Sequence, residues 1–155
     1  MFKTLARDAD KAEILRRISL VRPESTARWG RMSANQMICH LADGFRVMLG
    51  DRQTALVPAP LPRSIMMRVA LYAPVQWPHN IPTTPDLDQV LGGTKPSGFD
   101  RDLADLLALF GRIVTDQARA PFDGNLHPVF GPMSTATWLR WAYLHPDHHL
   151  RQFGL

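Results

Sequence analysis

His145 and His149 stand four residues apart in the run Leu144-His145-Pro146-Asp147-His148-His149-Leu150-Arg151-Gln152. At about 100° per residue, this spacing puts both imidazoles on one face of a helix. Trp138, Trp141, Ala142 and Gln152 share that face, and Arg140, Asp147 and Arg151 fall on the opposite one. The pattern predicts two rings pointing into an aromatic interior, with the charges turned to water. Burying two titratable rings beside tryptophans is costly unless each finds a partner, and adjacent imidazolium ions repel. A shared divalent cation removes both costs, and the i, i+4 pair is how a helix offers two imidazoles to one metal. A plainer reading competes, because the helix dipole favours histidine near a carboxyl end with no ligand at all. Pro146 removes a backbone donor between the pair, so either a bend carries both rings or the regular helix ends at His145.

A third ligand would complete a site, and His40 is the candidate, flanked on its own helix face by Gln36, Asp43, Gly44 and Val47. The neighbouring Cys39 points about 100° away on a regular helix, so it reads as a packing residue. His148 lies to one side of the pair and suits an outer or substrate-facing role. A ligand imidazole normally gives its second ring hydrogen to an acceptor. Gln36, Asp43, His148 and Gln152 are therefore the candidates for orienting a ring or handling a proton. His79 and His127 sit in proline-bearing stretches and read as surface-loop residues.

The elements that must position these groups read as helices. Lys11 to Leu20 has helical spacing through Ala12, Leu15 and Ile18. Ser33-Ala34-Asn35-Gln36 has the form of a capping box, after which Met37, Leu41, Phe45 and Met48 make one apolar stripe ending near Gly50. Pro58, Pro60, Pro62, Pro74, Pro78, Pro82, Pro85 and Pro96 then forbid a long regular element. Ser64 to Ala73 fits a short helix within that crossover, with Leu61, Trp77, Ile81 and Leu87 as apolar anchors. After Gly98, with Asp100 as the expected cap, Leu103, Leu106, Leu107, Phe110, Ile113 and Val114 repeat at three and four. Pro121 to Pro132 reads as a loop, and Ser134 caps the final helix. Little strand-like alternation remains, so the expectation is an all-α helical bundle with a long proline-rich crossover between its second and third main helices.

Composition bounds the rest. A chain of 155 residues fits one domain over 1–155, and 45% hydrophobic with 21% charged residues builds a core and solvates its surface. The single Cys39 excludes an intramolecular disulfide or a cysteine-rich metal site and points to a reducing, cytoplasmic setting. The amino terminus lacks a signal-peptide apolar run, and no window has the length of a membrane span. The net charge of +4 is scattered, with Arg16-Arg17 the one adjacent basic pair, so neither nucleic acid nor membrane is an expected partner. Apolar helix faces leave room for a homodimer.

Arg28-Trp29-Gly30-Arg31-Met32-Ser33, Gln36 through Asp43, Pro82-Thr83 to Leu87, His127-Pro128-Val129-Phe130-Gly131 and His145 to Gly154 together resemble the DinB-like superfamily, over most of the chain from Arg28 onward. The resemblance implies an up-down-down-up four-helix bundle holding a divalent metal with His40, His145 and His149. It also implies kinship with thiol-cofactor-dependent S-transferases and isomerases, with Pro146 a departure from the usual ligand helix. Three neutral imidazoles leave the ion its full charge and an open position, and imidazole suits zinc, nickel or iron. Such a site lowers the pKa of a bound thiol, for transfer with a low-molecular-weight thiol, or of a bound water, for hydrolysis of a small-molecule substrate. The leading expectation is a metal-dependent thiol transferase. The alternatives are a hydrolase using a metal-bound hydroxide and a noncatalytic bundle that binds a ligand or partner.

Overall fold

Five α-helices and a two-stranded hairpin form the described part of the chain, residues 2–117 and 122–155 of the computed structural model. In order, these are α1 (Asp8–Ile18), α2 (Ala34–Leu49), α3 (Arg63–Tyr72), α4 (Phe99–Asp116), β1 (Leu126–His127), β2 (Gly131–Pro132) and α5 (Thr135–Gln152), with one 3₁₀ turn at Pro85–Leu87. The fold is all-α apart from that hairpin. Among the described residues, no helix is long and apolar enough to cross a membrane.

The local signals of α2 act as written. Ser33 Oγ accepts from the Gln36 amide, and Gln36 Oε1 accepts from the Ser33 amide. Met37, Leu41, Phe45 and Met48 are all buried, and α2 ends where Gly50 takes φ +79°, a left-handed turn that favours glycine. Gln36 is therefore spent on the cap and takes no part in the histidine cluster, contrary to its reading as an orienting residue. α2 lies at the centre of the packing, against α4, α5, β1 and the 3₁₀ turn, while α1 and α3 pack on α5.

Elsewhere the structure corrects the sequence reading. α1 starts three residues earlier than Lys11, and it buries Ile14 and Ile18 while leaving Leu15 exposed. The N-cap of α4 is Gly98 rather than Asp100; Asp102 reaches back instead and accepts from the Ser97 and Gly98 amides and the Ser97 hydroxyl. On α4 the buried row is Leu106, Leu109, Phe110 and Ile113, so Leu109 takes the inner place assigned to Leu107. In the crossover, Leu87 is buried and Trp77 half-buried against the core, whereas Leu61 and Ile81 are exposed. The expected loop after Pro121, a residue outside the described range, contains the hairpin.

α5 runs unbroken through Pro146, which is buried inside it, so the helix does not end at His145. Ser134 caps it by accepting from the Thr137 amide. Its outer charges do not simply face water. Asp147 receives Arg17 of α1 at 2.7 Å and Arg151 at 3.0 Å, and Arg140 donates to the Leu71 carbonyl at 2.9 Å. Arg17 is itself buried and also donates to the Leu155 carbonyl, so this ionic clamp fixes α5 to α1 from behind.

Candidate metal centre

The inner face of α5 brings His145 and His149 against His40 of α2. The three ring centroids form a nearly equilateral triangle with sides of 4.9, 4.8 and 4.9 Å. All three residues are buried, and one potential ligand nitrogen from each lies within 4.8 Å of the others. Three imidazole nitrogens at that spacing could hold one divalent ion.

Hydrogen bonding settles two of the three tautomers. The Leu87 carbonyl can only accept, so His40 Nδ1 carries the hydrogen at 3.1 Å and Nε2 keeps its lone pair. The Trp29 carbonyl likewise only accepts, so Gln152 turns Nε2 towards it at 2.7 Å. Gln152 Oε1 therefore accepts from His149 Nδ1 at 2.8 Å, again leaving Nε2 free to ligate. A fixed outer acceptor on each ring is the arrangement that ligating histidines use. His145 differs: its Nε2 lies 3.0 Å from His40 Nε2, and its buried Nδ1 has no hydrogen-bond partner among the described residues. Without a cation, the two facing nitrogens share one hydrogen. Were both Nε2 atoms to hold a cation, the unpartnered Nδ1 would be the place for that proton. The donor set thus fits a divalent ion.

Burial pushes the pKa of His40 down, and it pushes His145 and His149 well below the ordinary histidine value, with mutual repulsion of the rings adding to the effect. All three are neutral near pH 7, as imidazole ligands must be. His145 is stacked on Trp141 with centroids 4.5 Å apart. Gly44 makes this approach of α2 to α5 possible, since a Cβ there would meet Trp141 Cη2 at 2.9 Å and His145 Cε1 at 3.0 Å.

The remaining sequence candidates fall outside the triangle. Asp43 is fully buried but bonds Arg46, Arg52, Gln89 and Thr94, not a ligand ring. His148 is half-buried between Trp29 and Trp77, at ring distances of 6.1 and 5.8 Å, and its Nδ1 is also unpartnered among the described residues. Burial, followed by the charge of Arg151, lowers its pKa to about 4. For Cys39, burial and then the Asp102 charge push the thiol up to about 12, which suits a packing residue and not a nucleophile. His79 stays exposed, stacked on Trp29 at 3.8 Å. The Leu87 carbonyl carries no side-chain signature by which sequence could mark it. Gly44 does carry a signal beyond its place beside His40, since a lone glycine inside an apolar helical stripe marks close packing.

His127 is buried, not a surface-loop residue. The hairpin turns it inward, its ring lies 4.5 Å from that of Phe130, and its Nδ1 accepts from the Val129 and Phe130 amides. Burial lowers its pKa to about 3. The unfolded chain takes up this proton below about pH 6.5 and the folded chain does not. Its contribution is therefore complete above pH 6.5 and is lost as pH falls towards 3, by up to about 1.4 kcal/mol per pH unit. His127→Asn keeps an acceptor for the two amides and removes the titration. Denaturant unfolding between pH 7 and 4 is expected to show a shallower acid loss in the variant, and equal slopes would contradict this account.

Comparison with family models, with curated proteins and with solved structures returns no match to this chain. Fold and site define it as an all-α protein with three buried histidines close enough to hold a metal ion.

Proposed function

We propose that this chain is a divalent-metal-dependent intracellular enzyme of the DinB-like superfamily, an up-down-down-up four-helix bundle that joins a low-molecular-weight thiol to a small electrophile. The observation that carries the reading is the triangle of neutral histidines, with the outer hydrogens of His40 and His149 fixed by Leu87 and Gln152. A divalent cation in that setting supplies undiminished positive charge to stabilise an anionic sulfur or oxygen. The protein's own part is to keep the ring nitrogens of the three histidines convergent and to pack Trp141 behind His145. Trp77 and His148 are the aromatic neighbours of the ligand rings, 6.5 Å from His145 and 5.1 Å from His149. In transfer, the thiol sulfur bonds to the electrophilic carbon, the leaving group departs with its electron pair, and the thiol proton passes to solvent.

The test is to load untagged protein with zinc, nickel or iron(II) in turn and supply an activated alkyl or aryl electrophile with and without thiol. Conjugate formed only with thiol and metal present supports transfer. Product without thiol identifies a hydrolase, and no turnover with any metal and thiol pair rejects an enzyme of either kind.

The burial of the rings favours a second reading, a noncatalytic metal or ligand binder. Two surface hollows, of about 250 and 300 Å³, are lined by residues such as Val75, Trp77, Leu144, Arg28, His79 and Arg151 and not by the three histidines. Cobalt(II)-substituted protein separates the readings. Azide shifts the visible spectrum of an ion with an exchangeable position and leaves that of a closed one unchanged.

A further inference from the structure

We infer that Asp43 is a positioning residue for the histidine cluster: it anchors the segment Pro85 to Thr94 onto α2 and thereby holds the Leu87 carbonyl against His40 Nδ1. The inference rests on the metal-centre reading for its consequence, but its geometry stands alone. Asp43 is 0% exposed, and five donors meet its two oxygens. Oδ1 accepts from Arg46 at 2.9 Å, Arg52 at 2.9 Å and the Thr94 hydroxyl at 2.6 Å. Oδ2 accepts from Gln89 Nε2 at 3.1 Å and the Thr94 amide at 2.8 Å. Arg52 extends the grip, because its second amino group donates to the Asp86 and Gly92 carbonyls, each at 2.7 Å.

These contacts bracket Leu87 on both sides in sequence. Asp86 lies before it, Gln89, Gly92 and Thr94 follow, and all are drawn to one carboxylate and its arginine. The segment's backbone hydrogen bonds, from Leu87 to Thr84, from Asp88 and Gly92 to Pro85 and from Leu91 and Gly93 to Asp88, run within it, so they shape it without tying it to α2. Leu87 buries its side chain, and its carbonyl, 47 residues from His40 in sequence, is the one acceptor for the His40 ring hydrogen among the described residues. If the segment shifts, His40 loses its fixed tautomer and orientation. Asp43 acts through Leu87 and does not touch the ring.

Removing the outer partner of a ligand histidine typically costs about 10- to 100-fold in metal affinity. The test compares wild type with Gln89→Ala/Thr94→Ala, which leaves the Asp43 charge and its two arginines in place, with Asp43→Asn, and with Thr94→Ser as the conservative rescue. Zinc affinity is read by competition with a chromophoric chelator. Exchange of the His40 Nδ1 hydrogen is read by NMR on the metal-free full chain.

The double variant is expected to bind zinc about 10- to 100-fold more weakly and to exchange the ring hydrogen at least about tenfold faster, with Thr94→Ser close to wild type. Unchanged exchange in the folded double variant overturns the inference, as does unchanged zinc affinity. Should Asp43→Asn fail to fold, the double variant carries the test. Should wild type bind no metal ion, the metal reading fails, while the exchange measurement still decides whether Asp43 holds His40.

Discussion

Replacing His145 and His149 together by alanine is expected to bring metal content from about one ion per chain to near zero and to abolish stabilisation by added metal. Each ring supplies one corner of the triangle and His40 alone cannot hold an ion tightly, so the loss should be close to complete. The effect on stability follows from mass action: an ion at 100 times its dissociation constant stabilises the folded state by about 2.7 kcal/mol. In a domain of this size, about 2–4 °C of melting temperature accompanies each kcal/mol, so wild type should gain about 5–11 °C. The double variant should gain nothing. Elemental analysis of untagged protein and thermal unfolding with and without metal check both halves. Equal metal content or equal shifts would remove these residues as ligands. Acid should release the ion from wild type as well, because protons compete for the three lone pairs.

Gly44→Ala is the second large effect, from one added methyl group. That carbon would sit 2.9 Å from Trp141 and 3.0 Å from His145, closer than non-bonded carbons approach. Trp141 cannot yield easily, being buried against Trp138 and His127. Alanine improves helix propensity by about 1 kcal/mol, but overpacking of this kind costs about 1–3 kcal/mol. Net destabilisation is expected, together with at least about a tenfold loss of metal affinity as His145 is displaced. Gly111→Ala provides the contrast. It lies on the exposed side of α4 with no described atom within 4 Å of an added Cβ, so the same substitution should stabilise by about 0.4–1 kcal/mol. Denaturant unfolding of both variants and metal titration of Gly44→Ala decide the matter; a stabilised Gly44→Ala with full affinity would contradict the close approach.

Where structure is set locally, it could be read from residues alone. The Ser33 and Gln36 cap, the stripe from Met37 to Met48 and the spacing of His145 and His149 each depend on neighbours within one or two helical turns, and the structure places His40 beside that pair. What escaped depends on distant partners. Asp43 sits near His40 in sequence and invites the reading of a direct hydrogen bond, yet Arg52 and Thr94 compete for it from another segment. His127 sits in a proline-bearing stretch, and only the pairing of Leu126 and His127 with Gly131 and Pro132 turns it inward. Asp100 reads as the residue to begin α4, yet the chain makes Gly98 the cap, and Asp102, from within the first turn, accepts from the Ser97 and Gly98 amides.

Asp147 gives the ligand helix a second point of attachment, on the side away from the rings. One carboxylate there answers two guanidinium groups, one on α1 and one on α5 itself. Losing it would leave the buried Arg17, among the described residues, with only the more distant Glu13 carboxylate, at 3.7 Å, and would loosen the helix that carries His145 and His149. The precision of the His145 and His149 placement is therefore underwritten from the rear of the molecule, by an amino-terminal helix that contributes no atom to the centre.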